Sequence, residues 1–260
     1  MLRRHVVVIA GLLCSTSISC ASAKPIQDTK PTVPDQEIEV ATAFDLNSQV
    51  EQYKLRYGLR DTDSKLVDNE GNGNEDLYGV RNFRVVLHGI YYRGGANNKF
   101  NRTQPRDNMN PLPKEGLQNL CKQGFSDALY LYPENFETAK TSTSCRNLDD
   151  AKSKISYSHS PGLKTGDEPI LLKRIYDHIK GVRRGPIYAH CWNGWHASGY
   201  VAAISLKQFC GYSDSKAEDY WVRNTDGNQA GYEKIRERIR AFKPISTMRT
   251  TKAERELICP

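Results

Sequence analysis

The chain has 260 residues, a formal net charge of +7 and 38% hydrophobic residues, which is enough for one good core and a small additional subdomain. Its mild basicity is compatible with anionic ligands, but no run of Lys and Arg is long enough to indicate nucleic-acid binding. Beyond the first apolar stretch, no segment is apolar enough to predict a membrane-spanning helix.

The N-terminus has the features of a secretory signal peptide: a basic start, a short apolar stretch and the small-x-small cleavage site Ala21-Ser22-Ala23. We therefore expect residues 1–23 to be removed, leaving an exported, periplasmic or secreted chain with a net charge of +5. The alternative is a lipid anchor on Cys20, which is less favoured because Ser17, not Leu, stands three residues before it.

Residues 24–77 are predicted to form a linker and N-terminal extension, with a short helix in residues 40–60 and a loop over residues 61–75. A compact domain is predicted for residues 78–245, followed by a C-terminal tail of residues 246–260.

Short apolar strands and amphipathic helices alternate within this domain. Strands are predicted for residues 83–92 with a break at Gly89, 128–132, 154–159 and 186–189. Helices are predicted for residues 114–123, 167–180, 198–209, 214–223 and 232–242. The segment Arg93-Gly94-Gly95 is predicted to be a turn. This order of elements predicts an α/β fold in which a largely parallel central sheet is flanked by helices.

Five cysteines follow the signal peptide: Cys121, Cys145, Cys191, Cys210 and Cys259. An odd number in an exported chain indicates disulfides plus one free thiol. Cys191 is the candidate free thiol, and the predicted pairs are Cys121–Cys145 and Cys210–Cys259, although spacing alone does not determine the connectivity.

The most informative segment is residues 187–199, Ile-Tyr-Ala-His-Cys-Trp-Asn-Gly-Trp-His-Ala-Ser-Gly. It predicts an apolar strand that ends at Cys191, a tight loop that turns at Gly194, and a helix. Ligands of open α/β sheets bind beyond the carboxyl ends of the strands, and helix N-termini attract anions. A cysteine at this place is favoured as a nucleophilic thiolate, and Ser198 can cap the helix or hydrogen-bond to the sulfur.

This segment resembles the signature of the protein tyrosine and dual-specificity phosphatase superfamily, His-Cys-x-x-Gly-x-x-Arg-Ser/Thr. Four of its five positions are present in register: His190, Cys191, Gly194 and Ser198. Residues 82–95 also resemble the first strand of bacterial members, and the resemblance extends over residues 78–242. It implies that Cys191 is a catalytic nucleophile that forms a phosphocysteine. The implied phosphate-binding loop comprises Trp192, Asn193, Gly194, Trp195, His196, Ala197 and Ser198.

The sequence departs from the signature at Ala197, where the family has an arginine that binds phosphoryl oxygens and stabilises the transition state. In other phosphoryl-transfer enzymes such an arginine contributes roughly 10³–10⁵ in rate. We therefore expect weakened or altered activity unless another cation replaces it. His196 is one candidate, and Arg93 is another if its turn folds over the mouth of the loop.

The family also uses a general acid, an Asp about thirty residues before the cysteine. The corresponding region has no Asp, but His159 lies near the expected place and Asp167 follows later. Asp167 also precedes a predicted helix, where it could instead act as an N-cap. The sequence therefore leaves two catalytic roles unassigned, that of the phosphate-binding arginine and that of the general acid.

Several neighbouring side chains have structural interpretations as well. His190 is expected to support the loop rather than act as a base, and Trp192 and Trp195 either line the pocket or fill the space of the missing arginine. The His and Cys residues lack metal-ligand spacing, so neither a metal nor another cofactor is predicted.

Three functions fit these residues. The first is an exported phosphatase acting on phosphoproteins or inositol-phosphate-type monoesters. The second is a pseudophosphatase that binds phosphate esters without hydrolysis, and the third is a different thiol chemistry of Cys191 with His196. The predicted partner is an anionic phosphorylated substrate, with neither nucleic acid nor an integral membrane segment. The sequence identifies neither the substrate nor the oligomeric state.

Overall fold

The computed structural model describes residues 43–96 and 110–260. The predicted signal peptide, its cleavage after Ala23 and the alternative lipid anchor at Cys20 lie outside the described residues. Within the two described ranges, no helix has both the length and the apolar character needed to cross a membrane.

The described residues contain a six-stranded sheet. Its strands are β1 (Val80–Leu87), β2 (Tyr91–Ala96), β3 (Asp127–Tyr130), β4 (Ser142–Arg146), β5 (Lys152–His159) and β6 (Ile187–Cys191). They are ordered β1-β2-β6-β3-β5-β4. The four inner strands run parallel, and the edge strands β1 and β4 pair antiparallel with β2 and β5. This sheet confirms the predicted α/β class.

Helices flank the sheet. They are α1 (Leu46–Tyr57), α2 (Lys114–Lys122), α3 (Glu168–Ile179), α4 (Ala197–Cys210), α5 (Asp214–Arg223), α6 (Glu233–Ala241) and α7 (Lys252–Ile258). Helix α4 is buried along almost its whole length. Because it is apolar nearly all round, it is stable only in the core, where it packs between β6 and the outer helices.

Three local predictions were wrong or incomplete. Arg93-Gly94-Gly95 belongs to strand β2 rather than to a turn, and the chain reverses earlier, at Gly89 with φ +68°. Strand β4 and helix α7 were not predicted. Strand β4 is a polar edge strand, and α7 is a short charged helix, so neither has a strong hydrophobic pattern.

The compact unit comprises residues 43–260, so it extends beyond the predicted domain of residues 78–245 at both ends. At the N-terminal end, α1 buries Val50, Tyr53 and Tyr57. At the C-terminal end, α7 contributes the buried Ile258. Both helices therefore contribute buried side chains to this unit.

The two predicted disulfides are confirmed: Cys121–Cys145 and Cys210–Cys259. The first joins α2 to β4, and the second joins the end of α4 to the residue after α7. Cys191 is the free cysteine of the described residues. Paired cysteines of this kind are typical of an oxidising compartment.

Candidate active site

Cys191 is the last residue of β6, which lies between β2 and β3 in the middle of the sheet. The carboxyl ends of these three parallel strands meet at one edge, so the sulfur lies where α/β proteins bind ligands. Cys191 is 4% exposed, and its Sγ lies 3.4 Å from the hydroxyl oxygen of Ser198 in the first turn of α4. Strand, loop and helix thus bring the Cys191 sulfur and the Ser198 hydroxyl of the motif together.

The loop after Cys191 is held from the side of the sheet. The carbonyl of Trp192 accepts hydrogen bonds from the Arg81 guanidinium at 2.9 Å and from the Ala96 amide at 3.2 Å. The carbonyl of Asn193 accepts one from the Asn82 side chain at 2.8 Å, and the Asn193 side chain accepts another from Arg81. Both carbonyls therefore point towards the sheet.

This orientation determines where the loop amides point. In a planar trans peptide, the N–H is directed away from the C=O. The N–H groups of Asn193 and Gly194 therefore face away from the sheet, on the side where the loop borders the cavity. Convergent backbone N–H groups beside a helix N-terminus form an anion-binding concavity.

Two glycines permit this close packing of loop and sheet. Gly194 has φ +80°, and a Cβ there would lie 2.6 Å from the carbonyl carbon of Gly94. A Cβ on Gly95 would lie 2.6 Å from the Trp192 carbonyl oxygen. A side chain at either position would push the loop away from Arg81 and Asn82.

Arg84 and Arg93 lie with Arg81 in the first two strands, and all three are buried. Arg84 pairs with Asp226 at 3.2 Å, and Asp226 also accepts hydrogen bonds from Lys65 and Trp195. Burial alone would raise the pKa of Asp226, but these partners outweigh it and lower the pKa. The carboxylate therefore remains ionised next to the arginine.

Arg93 does not fold over the mouth of the loop, which corrects that expectation. It is fully buried in β2, donates to the Asn224 carbonyl at 3.2 Å, and lies over the Tyr220 ring. A side chain in the middle of a strand points into one of the two layers that cover the sheet, whereas a turn could have placed it over the loop.

His190 supports the loop from within the core. Its Nδ1 donates to the Cys191 carbonyl at 3.1 Å, and its Nε2 accepts from the Tyr157 hydroxyl at 2.8 Å. Burial lowers the pKa of His190 to about 3. The imidazole is therefore neutral at physiological pH and keeps this pair of hydrogen bonds.

A cavity of about 670 Å³ opens above the loop. The described residues that line it are Leu131, Tyr132, Pro133, Pro161, Leu163, Lys164, Cys191, Trp192, Asn193, Trp195, His196, Ala197 and Tyr232. Most are apolar or aromatic. Lys164 is the only lysine or arginine among these described residues, none of them is a carboxylate, and burial lowers the pKa of His196.

His196 is held by its neighbours on the cavity wall. Its ring stacks on Tyr232 with centroids 3.7 Å apart, and its Nε2 donates to the Asn228 carbonyl at 2.6 Å. Burial lowers its pKa, although the hydrogen bond to Asn228 acts in the opposite direction. A neutral, stacked imidazole does not provide the charge of the missing arginine.

The two candidate general acids are not brought to the cavity wall. His159 is exposed, donates to the Tyr132 carbonyl at 2.7 Å and stacks on Phe136. Asp167 precedes α3 but makes no capping hydrogen bond with its side chain, which instead lies 3.5 Å from the Lys164 ammonium. Asp167 is thus linked to the cavity only through Lys164.

The described residues place a free thiol at the cavity, next to a loop whose N–H groups face away from the sheet. Across the described ranges, no three His, Cys, Asp or Glu side chains come together as a set of metal ligands.

Sequence reasoning missed the residues that support and surround the loop. Arg81 and Asn82 are polar residues within a strand whose every residue is buried, but a sequence does not indicate which partners they reach. Lys164 carried a usable signal, because it is the one lysine or arginine between the two candidate acids His159 and Asp167. Tyr132 and Tyr232 come to the cavity from distant segments.

No protein-family model and no curated protein matches the sequence. Among solved structures, the chain is similar to the Siw14 catalytic core, with a TM-score of 0.40 and 18% identity over 65% of this chain and 89% of that chain. It is also similar to the core catalytic domain of the PP-IP phosphatase SIW14 from S. cerevisiae in complex with citrate. That match has a TM-score of 0.37 and 19% identity over 63% of this chain and 86% of that chain.

Proposed function

We propose that the chain is an exported cysteine-dependent phosphatase that hydrolyses phosphate monoesters with weakened or altered activity. The observation that carries the proposal is the free Cys191 sulfur at the cavity, beside a loop whose carbonyls are held away from it. The register of His190, Cys191, Gly194 and Ser198 with the phosphatase signature supports the same chemistry.

The proposed reaction has two steps. The Cys191 thiolate attacks phosphorus, an S–P bond forms, and the P–O bond breaks with its electron pair passing to the leaving oxygen, which takes up a proton. Water then attacks the phosphocysteine, the S–P bond breaks, and inorganic phosphate and the thiolate are released. The amides of Asn193 and Gly194 would stabilise the phosphoryl oxygens in both steps.

The absence of a carboxylate from the described cavity wall bears on the choice of substrate. A leaving group of low basicity needs little protonation, whereas an alkoxide needs a general acid. We therefore expect nitrophenyl phosphate to be hydrolysed much faster than an alkyl phosphate. His159 and Asp167 remain the candidate general acids for the slower hydrolysis of alkyl phosphates.

The test is turnover of 4-nitrophenyl phosphate by the mature chain. Activity should disappear in Cys191→Ser, and acid quenching should trap a labelled phosphocysteine in the wild type only. Ser205→Ala removes a buried hydroxyl from α4 that hydrogen-bonds only within the helix, so it serves as a matched control and should retain activity. Equal turnover by wild type and Cys191→Ser on several esters would exclude the hydrolase.

A second candidate is a pseudophosphatase that binds phosphate esters without hydrolysing them. Ala197 favours it, because the cavity wall lacks the arginine of the signature. The variant Ala197→Arg separates the two. Its turnover should rise if only this side chain is missing, whereas Val182→Arg, which adds an exposed cation after α3 and outside the cavity lining, should have no such effect. Phosphate binding with no turnover in the wild type and both variants would favour the binding protein.

A further inference from the structure

The segment between β5 and α3, residues 160–167, forms one wall of the cavity and contributes Pro161, Leu163 and Lys164 to it. Lys164 is the residue of interest, because it is the one lysine or arginine among the described lining residues. Ala197, the first residue of α4, also lines the cavity, with a methyl group in place of the guanidinium that the signature predicts.

The backbone that carries Lys164 is firmly positioned. The Gly162 amide donates to the Leu131 carbonyl at 2.9 Å, and the Leu163 carbonyl accepts from Arg238 at 2.6 Å. Arg238 also pairs with Glu168, which accepts a hydrogen bond from the Tyr200 hydroxyl at 2.8 Å. The Cα of Lys164 is thereby fixed at the cavity, and its side chain is the part that can move.

The ion pair that Lys164 forms with Asp167 in this structure is weak. The lysine ammonium lies 3.5 Å from the Asp167 carboxylate, and 66% of the Lys164 side chain is exposed. The Asp167 side chain is only 17% exposed, but an ion pair with one largely exposed partner is still screened by water and salt and contributes little. A doubly charged oxyanion in a concave, largely apolar site interacts more strongly with the same ammonium.

We propose that Lys164 provides the positive charge that an arginine at position 197 would otherwise supply, and that a bound oxyanion displaces Asp167 as its partner. A lysine is suited to this, because its ammonium is a compact charge with three donors on a flexible four-carbon stem. This proposal rests on the proposed function for its catalytic meaning, but the binding step can be measured without turnover.

The experiment is calorimetric titration of the mature chain with inorganic phosphate at low ionic strength. Replacing Lys164→Met should weaken binding about tenfold, the size expected for loss of one charge-assisted hydrogen bond. Lys164→Arg should bind within about threefold of the wild type, because the charge is retained. Lys173→Met is the matched control. Lys173 is an exposed lysine of α3 paired with Asp177, and its replacement should leave the affinity unchanged.

Asp167→Asn provides the second arm. It removes the competing carboxylate, so phosphate should bind about two- to threefold more tightly than in the wild type. Raising the salt concentration should weaken binding to the wild type more than to Lys164→Met. An unchanged affinity in Lys164→Met, an equal loss in Lys173→Met, or no tighter binding in Asp167→Asn would overturn the proposal.

The two proposals fail in different ways. If phosphate affinity depends on Lys164 but no ester is turned over, the proposed hydrolase activity is wrong, whereas the proposal that Lys164 binds the oxyanion is supported. If turnover depends on Cys191 but phosphate affinity does not change when Lys164 is replaced, the hydrolase activity is supported and the proposed role of Lys164 is wrong. No detectable phosphate binding by the wild type would also overturn the assignment to Lys164.

Discussion

The two sides of the loop after Cys191 are built differently. On the sheet side, the fully buried Arg81 and Asn82 hold the loop carbonyls, and the buried His190 holds the carbonyl of Cys191. On the cavity side, Trp192 is half-buried and Lys164 is largely exposed. The direction of the amides is therefore a property of the core, whereas the charge and shape presented to a ligand can change at little cost in stability.

The most severe test of this contrast is Arg81→Met. It leaves the Trp192 carbonyl and the Asn193 side chain without a buried charged donor, so the free energy of unfolding should fall by about 3 kcal/mol. Phosphate binding should be lost as well, because the loop amides lose their orientation. Denaturant unfolding and calorimetry measure the two effects.

The matched control for Arg81 is Arg146→Met. Arg146 is 62% exposed and pairs only with Asp150 within four residues, so its loss should cost less than about 0.5 kcal/mol. Similar losses for the two arginines would mean that burial behind the loop has no special role.

The packing between loop and sheet is tested by Gly194→Ala. This residue combines φ +80° with a Cβ that would lie 2.6 Å from Gly94, so we expect a loss of about 2–3 kcal/mol. Gly227→Ala isolates the backbone effect. It has φ +83° but nothing within 4 Å of the new Cβ, and should cost about 1 kcal/mol. Equal losses would show that the close approach does not matter.

The pH dependence of stability reports on His190. Its pKa falls from 6.5 in the unfolded reference to about 3 because of burial. The unfolded chain therefore binds a proton that the folded chain does not, and this contribution to stability is complete above pH 6.5 and is lost as the pH falls towards 3. The expected slope is up to about 1.4 kcal/mol per pH unit.

Replacing this histidine, as in His190→Gln, should remove that part of the slope in a series of unfolding curves between pH 7 and 4. His88→Gln sharpens the comparison, because burial also lowers the pKa of His88, to about 4, and its backbone N–H is bonded to the C-terminal segment. Only the His190 variant should also weaken phosphate binding. A loss of binding in both would refute a specific role of His190 in the loop.

The smallest stability effect is expected on the cavity side. Trp192 packs its edge against Tyr132 and lines the cavity, so Trp192→Leu should change the unfolding free energy by less than about 1 kcal/mol. The affinity for inorganic phosphate should be retained. The KM for an aryl phosphate should rise, because the substrate ring loses the aromatic side chain on which it packs. A large destabilisation would show that Trp192 belongs to the fold rather than to the ligand site.

Much of the fold was predictable, and the failures have a common cause. The strand-loop-helix segment at Cys191 combines an apolar run, a glycine and a second apolar run within thirteen residues, so local pattern was enough. Strand β4 and helix α7 are polar segments stabilised by partners far away in sequence, including the two disulfides. The supporting roles of Arg81 and Asn82 depend on residues more than one hundred positions later.

Sequence patterns alone predicted the order of the main elements, one free thiol among five cysteines, and the place of Cys191 between an apolar strand and an apolar helix. These features follow from local periodicity, composition and cysteine count. The folded structure was needed to show that Arg93 lies in the core, that His196 is stacked and neutral, and that Lys164 is the one lysine or arginine of the described cavity lining. These outcomes depend on which distant side chains meet, and chain-local patterns do not specify those contacts.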